Sequence, residues 1–123
     1  MHIVKISLIW MFLALYSCSS TDTNKMTKKK FIEPNNTAVF TTKFVTIDKK
    51  EITTVSHEKG DGAWQFFSSD KFDNFEDVVK IVGLRQISNR DSTLLELADM
   101  PKGYQAHRKF KGDKWKIDKV VSP

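Results

Sequence analysis

The chain has 123 residues, with 20 basic and 15 acidic side chains, a formal net charge of +5, 40% hydrophobic residues and a single cysteine. That length suits one domain with a short appendage rather than two full domains. One cysteine excludes an intrachain disulfide and a multi-cysteine metal site, so the fold must rest on its apolar core.

Residues 1–5 are a short basic start, and residues 6–15, Ile-Ser-Leu-Ile-Trp-Met-Phe-Leu-Ala-Leu, are mostly apolar. This is the pattern of a secretory signal. It is too short to span a bilayer, which takes about 20 apolar residues. Leu15-Tyr16-Ser17-Cys18 resembles a bacterial lipobox, with Ser17 as the small residue before the cut. The resemblance implies a diacylglyceryl group on the Cys18 thiol, cleavage before Cys18 and acylation of the new amino terminus. An ordinary signal cut nearby would instead leave a free thiol. Each buried methylene of an acyl chain adds about 0.8 kcal/mol, so several chains on one residue make stable anchoring plausible. Loss of residues 1–17 would leave 106 residues and remove Lys5, taking the charge from +5 to +4.

Residues 18–37 read as a lipidated, flexible tether. They are rich in Ser, Thr, Asn and Lys and lack apolar periodicity. Lys28-Lys29-Lys30 is a soluble spacer or a weak attraction for anionic headgroups. The domain is expected over residues 38–123. "AVFTTKFVTI" (38–47) and "EITTVSH" (51–57) read as two strands joined in a hairpin through Asp48-Lys49-Lys50. "AWQFFSS" (63–69) reads as a third strand, completing a meander, with Trp64 and Phe66 on one face and Gln65 and Phe67 on the other.

Residues 70–77, "DKFDNFED", suit a loop or short helix, and "VVKIVGL" (78–84) a strand. In 85–99 the apolar spacing predicts one helix or two short ones. Thr93 with Glu96, or Ser88 with Asp91, would form a capping box there. Pro101 and Gly103 stop the helical segment. "YQAHRKF" (104–110) and "KWKIDKVV" (114–121) read as strands joined at Lys111-Gly112-Asp113. The sum is a small α+β domain with a mainly antiparallel sheet and one helical segment packed on a face.

No catalytic constellation emerges. His57 and His107 lack metal-ligand spacing, and a solvated or hydrogen-bonded role is expected for both. Asp70, Asp73, Glu76 and Asp77 miss the calcium-loop pattern. Neither a Gly-x-Ser-x-Gly turn nor a phosphate-cradling loop is present. No catalytic residue, metal, cofactor or nucleic-acid partner is therefore expected. Charge is uneven: residues 38–101 carry 8 basic and 11 acidic side chains, and residues 102–123 carry 7 and 2. That asymmetry suits an acidic partner or a headgroup surface, or else a solvated basic edge.

"GAWQFFSSD" (62–70) and "LLELADMPKGYQAHRKFKGDKW" (94–115) together resemble the immunity protein 33-like domain, also catalogued as domain of unknown function 2185. The matching positions are Trp64, Phe66, Phe67, Leu97, Asp99, Pro101, Gly103, Ala106 and Arg108. The resemblance implies mainly structural roles for these residues and a small domain that binds and blocks a toxin from a competing cell. The family's Ser-Leu-Glu-Glu-Ile is here Gly83-Leu84-Arg85-Gln86-Ile87, and His107 stands where an acidic residue is common. The expected protein is a non-catalytic, toxin-binding lipoprotein of the cell envelope, on the periplasmic side or at the outer membrane. A general accessory or structural envelope lipoprotein is the alternative.

Overall fold

The computed structural model describes residues 29–121, so the signal segment, Cys18 and Lys28 lie outside the described residues. One sheet contains β1 (Ala38–Thr42), β2 (Thr54–His57), β3 (Trp64–Phe67), β4 (Val79–Gly83), β5 (Tyr104–His107) and β6 (Lys116–Lys119). Around it lie α1 (Lys43–Thr46), α2 (Phe75–Val78), α3 (Leu84–Arg90) and a 3-10 helix (Ser92–Leu97). The strand order is β4-β1-β3-β2-β5-β6, with β1 and β3 parallel and the other neighbours antiparallel. The architecture is the expected small α+β fold with a mainly antiparallel sheet.

Strand alternation builds the core. Val55 pairs in register with Phe66 on one side and Ala106 on the other, and His57 pairs with Trp64 and Tyr104. These residues share a sheet face. Val39, Val55, Trp64, Phe66 and Ala106 are buried there against Leu84, Ile87, Leu94, Leu97 and Met100 from the helical segment. Burying a side chain such as Phe66 contributes about 1.5–3 kcal/mol. On the other face Phe67 is half-buried, its ring 6.3 Å from Phe72 and 5.7 Å from Phe75.

The first hairpin of the sequence reading does not form. β1 ends at Thr42, and Lys43–Thr46 turn into α1, burying Val45. β3 occupies the place between β1 and β2, so the three strands are not a meander. Arg90 holds the bend, donating to the carbonyls of Val45 and Lys50, the latter at 2.8 Å. A long-range contact thus overrides the strand preference of a β-branched run. Neither expected capping box forms. The cap is Asp91, whose carboxylate accepts from the Thr93 N–H at 3.0 Å. The helical segment is accordingly two pieces.

β5 and β6 do pair, but each is shorter than expected, and residues 108–115 connect them instead of a tight turn. Arg108, the next core-facing position after Ala106, is buried, and its N–H donates to the Thr53 carbonyl at 3.0 Å. Asp113 closes the connection by accepting from the N–H groups of Lys109 (3.1 Å) and Lys114 (2.9 Å). Gly103 precedes β5 with φ at 86°, and its N–H donates to the His57 carbonyl at 2.7 Å.

The last residues of the expected tether lie against the domain. Phe31 packs edge-on to Trp64 with centroids 5.0 Å apart, and the Arg85 N–H donates to the Asn35 carbonyl at 2.9 Å. A lone aromatic in a polar stretch gives no periodic signal, which is why residues 31–37 read as spacer.

Candidate functional site

Most of the residues singled out by sequence form the frame of the domain. Trp64 and Phe66 fill the core, and Leu97 and Ala106 are fully buried. Asp99 and Pro101 are exposed; Asp99 pairs with Lys29 at 3.1 Å, and the Pro101 carbonyl accepts from the Tyr104 N–H. Gly103 supplies the left-handed conformation that the turn into β5 needs.

Arg108 is the centre of a buried polar network. Its guanidinium donates to the Ile52 carbonyl through Nε (3.0 Å) and Nη2 (2.9 Å), to Thr93 Oγ1 at 2.7 Å and to Asp91 Oδ2 at 2.7 Å. Its central carbon lies 4.0 Å from the Trp115 ring centroid. Burial alone would push the Asp91 carboxyl up, and that is the largest single influence on it. The hydrogen bonds from Thr93 and Arg108, with the arginine charge, outweigh it and hold the carboxyl below its ordinary value. This network fastens the residues just before β2, the end of β5 and the start of the 3-10 helix together.

The histidines differ. His107 is exposed, within reach of Thr54 Oγ1 (3.4 Å) and Gln105 Oε1 (3.2 Å). His57 is buried, its Nδ1 2.7 Å from the Met100 carbonyl and its ring stacked 3.9 Å from Trp64. Trp64 in turn donates its indole N–H to Glu33 at 2.8 Å. Among the acidic residues 70–77, Asp70 accepts from Ser68 at 2.7 Å and lies 4.0 Å from Lys50. Among the described residues no three His, Cys, Asp or Glu side chains converge as a metal site.

What faces solvent is a lysine-rich end of the sheet. A cleft of about 260 Å³ lies between the turn before β2 and the β5–β6 connection, lined by Lys49, Lys50, Arg90 and Lys111 with Glu51 and Asp91. A second, of about 350 Å³, is bordered by His107, Lys109, Lys114 and Lys116 with Asp113. The two turns are joined where the Lys111 N–H donates to Glu51 at 3.1 Å. All six lysines are exposed. Sequence counting found the basic C-terminal stretch but missed Lys49, Lys50 and Arg90, which belong to the locally acidic half of the chain and reach this end only through the fold. It also missed Asp91 and Glu33, whose partners are distant in sequence.

Comparison with protein-family models, with curated proteins and with solved structures returns no match. No helix among the described residues is long and apolar enough to cross a membrane.

Proposed function

We propose that this chain is an exported lipoprotein, held to a membrane of the cell envelope through lipid on Cys18, whose domain binds another protein without catalysis. The resemblance to the immunity protein 33-like domain supports an inhibitor of this kind, one that occludes a toxin. The observation that carries the binding reading is the lysine-rimmed end of the sheet. Six exposed lysines surround two shallow clefts there, while the buried Arg108 and Asp91 are committed to the frame. Such a surface favours an acidic partner by steering and complementarity. A specific interface buries about 1,600 Å² in total, which one face of a domain this size can supply.

The test has two parts. Cys18→Ser expressed in a bacterial host should lose incorporation of labelled fatty acid and leave the membrane fraction. Retention with unchanged labelling would overturn the anchor. Separately, residues 29–123 are immobilised and exposed to secreted fractions of competing strains. One saturable partner whose toxicity the domain suppresses, and whose association slows at least tenfold in Lys111→Glu/Lys114→Glu, supports the immunity reading. A partner without toxicity, or none, overturns it.

A further inference from the structure

The sheet ends in two edge strands, β4 and β6, and they differ in charge. β6 and the connection before it carry Lys109, Lys111, Lys114, Lys116 and Lys119, all exposed, and lysines along an edge repel a second copy of the same strand. β4 carries one lysine, Lys80, and at its centre Ile81, which is 64% exposed. The phase of the ladder sets what this edge offers. The Leu84 N–H donates to the Thr37 carbonyl at 2.8 Å, so alternation turns the backbone groups of Val82 and Lys80 toward β1 and those of Val79, Ile81 and Gly83 outward. The Val79 N–H is taken by the Phe75 carbonyl at the end of α2. The outer side of β4 therefore presents both backbone groups of Ile81, the N–H of Gly83 and the carbonyl of Val79.

We infer that β4 is a self-pairing edge, on which two copies of this chain join antiparallel about a two-fold axis at Ile81 and continue one sheet into the other. That register is self-complementary, as a two-fold contact must be. Ile81 exchanges both of its backbone bonds with Ile81 of the second copy, and the Gly83 N–H meets the Val79 carbonyl at each end. The two Ile81 side chains adjoin on the open face of the sheet, where Phe40 is in register with Ile81. Lys80 stands opposite Val82, so no lysine faces a lysine. Beyond the strand, the end of α2 in one copy lies beside the start of α3 in the other. This brings Asp77, with Glu76 behind it, to Arg85, and all three are exposed. Opposite charges meet at both ends of the seam, which favours this partner over others. Other registers fail: centring on Val79 needs an N–H already taken, and centring on Gly83 runs into α3.

One edge pair lies below the about 1,600 Å² of a standard interface, so the association is weak and concentration-dependent. The two-fold axis is normal to the sheet, so both copies turn the same face the same way. Phe31 packs against Trp64 on the helix-covered face, and the N-terminal segments of both copies therefore lie on one side of the joint sheet. Two anchors in one membrane are compatible with that arrangement, but the pairing does not depend on the anchor. It also leaves the lysine-rimmed end of each copy open.

The test uses the full chain in detergent carrying Ile81→Cys, with Lys119→Cys on the other edge as the control. The wild-type chain, with Cys18 alone, sets the background. The pairing puts the two Cα atoms of residue 81 about 5.5 Å apart, within disulfide reach. Under a mild oxidant Ile81→Cys should form linked dimer about tenfold faster than Lys119→Cys at equal concentration. Adding Arg85→Glu should slow that linking about fivefold, and adding Asp77→Arg to the same chain should restore it, because the charges are exchanged and still opposite. Equal rates at the two edges, linking no faster than background, or linking indifferent to Arg85→Glu overturns the self-pairing. The substituted side chains are all exposed, and an unchanged urea midpoint of the reduced chains shows that the fold persists.

Discussion

Arg108 and Asp91 form a buried ion pair at 2.7 Å that ties the end of β5 to the start of the 3-10 helix. The side chain of Arg108 is fully buried and that of Asp91 nearly so; Arg108 also donates to the Ile52 carbonyl and to Thr93 Oγ1, and Asp91 also accepts from the Thr93 N–H. Removing one partner strands a charge in the core, which costs about 3–5 kcal/mol. Arg108→Ala and Asp91→Ala should each lower the urea midpoint by that equivalent. The double change to well-packed apolar residues, Arg108→Met/Asp91→Leu, should cost much less than the sum of the two. In a cycle closed with the single changes Arg108→Met and Asp91→Leu, additive losses would show that the pair is not coupled.

Acid should act through the same carboxylate. The Asp91 carboxyl is held below its ordinary value of 3.8 in the folded chain, burial being outweighed by its hydrogen bonds. Its contribution is complete above the unfolded value and is lost as pH falls through the folded one. Stability should therefore fall from about pH 4 downward, with part of the slope missing in Asp91→Asn. Unfolding followed from pH 6 to pH 2 checks this. Asp113 is also held low, mainly by the Lys109 backbone N–H, but it lies half-exposed at the surface, where solvent screens it, and Asp113→Asn should leave the profile nearly unchanged.

What could be read from the sequence follows from which contacts are local. The burial of Trp64 and Phe66 is visible because a strand alternates every second residue. Pro101 and Gly103 are visible because turn chemistry is local. The place of β3 between β1 and β2 is not, since strand order is set by pairing between segments far apart. Arg108 stood out only within a motif. Its function depends on Asp91, seventeen residues earlier, which the local pattern presented as the distant half of a helix cap. Glu33 was hidden among Asn and Thr, because nothing around it is periodic. The lysine-rimmed end combines residues from an acidic and a basic half of the chain, and linear charge counts separate them.

The domain boundary follows from the contacts of residues 31–37. A chain beginning at residue 38 lacks the Phe31–Trp64 contact, the Glu33–Trp64 hydrogen bond and the Asn35–Arg85 hydrogen bond. An aromatic pair contributes about 0.5–1.5 kcal/mol and a hydrogen bond to a charged group about 1.5–3 kcal/mol. Discounting for partial exposure, the shorter chain should be about 2 kcal/mol less stable than one beginning at residue 29. Equal urea midpoints would return these residues to the tether.

Two glycines with positive φ offer a contrast in what surrounds them. Gly103 (φ 86°) and Gly112 (φ 94°) both lie where a side chain is strained. A β-carbon at Gly112 would meet nothing within 4 Å, whereas one at Gly103 would lie 3.7 Å from Lys59 Cβ, an ordinary contact. Space therefore does not separate them, and the strain of the left-handed conformation, about 1–2 kcal/mol, applies to both. What separates them is attachment. Gly103 donates to the His57 carbonyl at 2.7 Å and accepts from the Val120 N–H at 2.8 Å, so its backbone is held between β2 and β6. Gly112 sits in the exposed β5–β6 connection, where neighbouring residues can move to relieve the strain. Gly103→Ala should cost the full amount and Gly112→Ala only part of it, and Gly112→Asn less again, because asparagine tolerates this conformation. Thermal melts of the three variants decide it. Equal losses for the two alanine variants would mean that the connection is as rigid as the sheet.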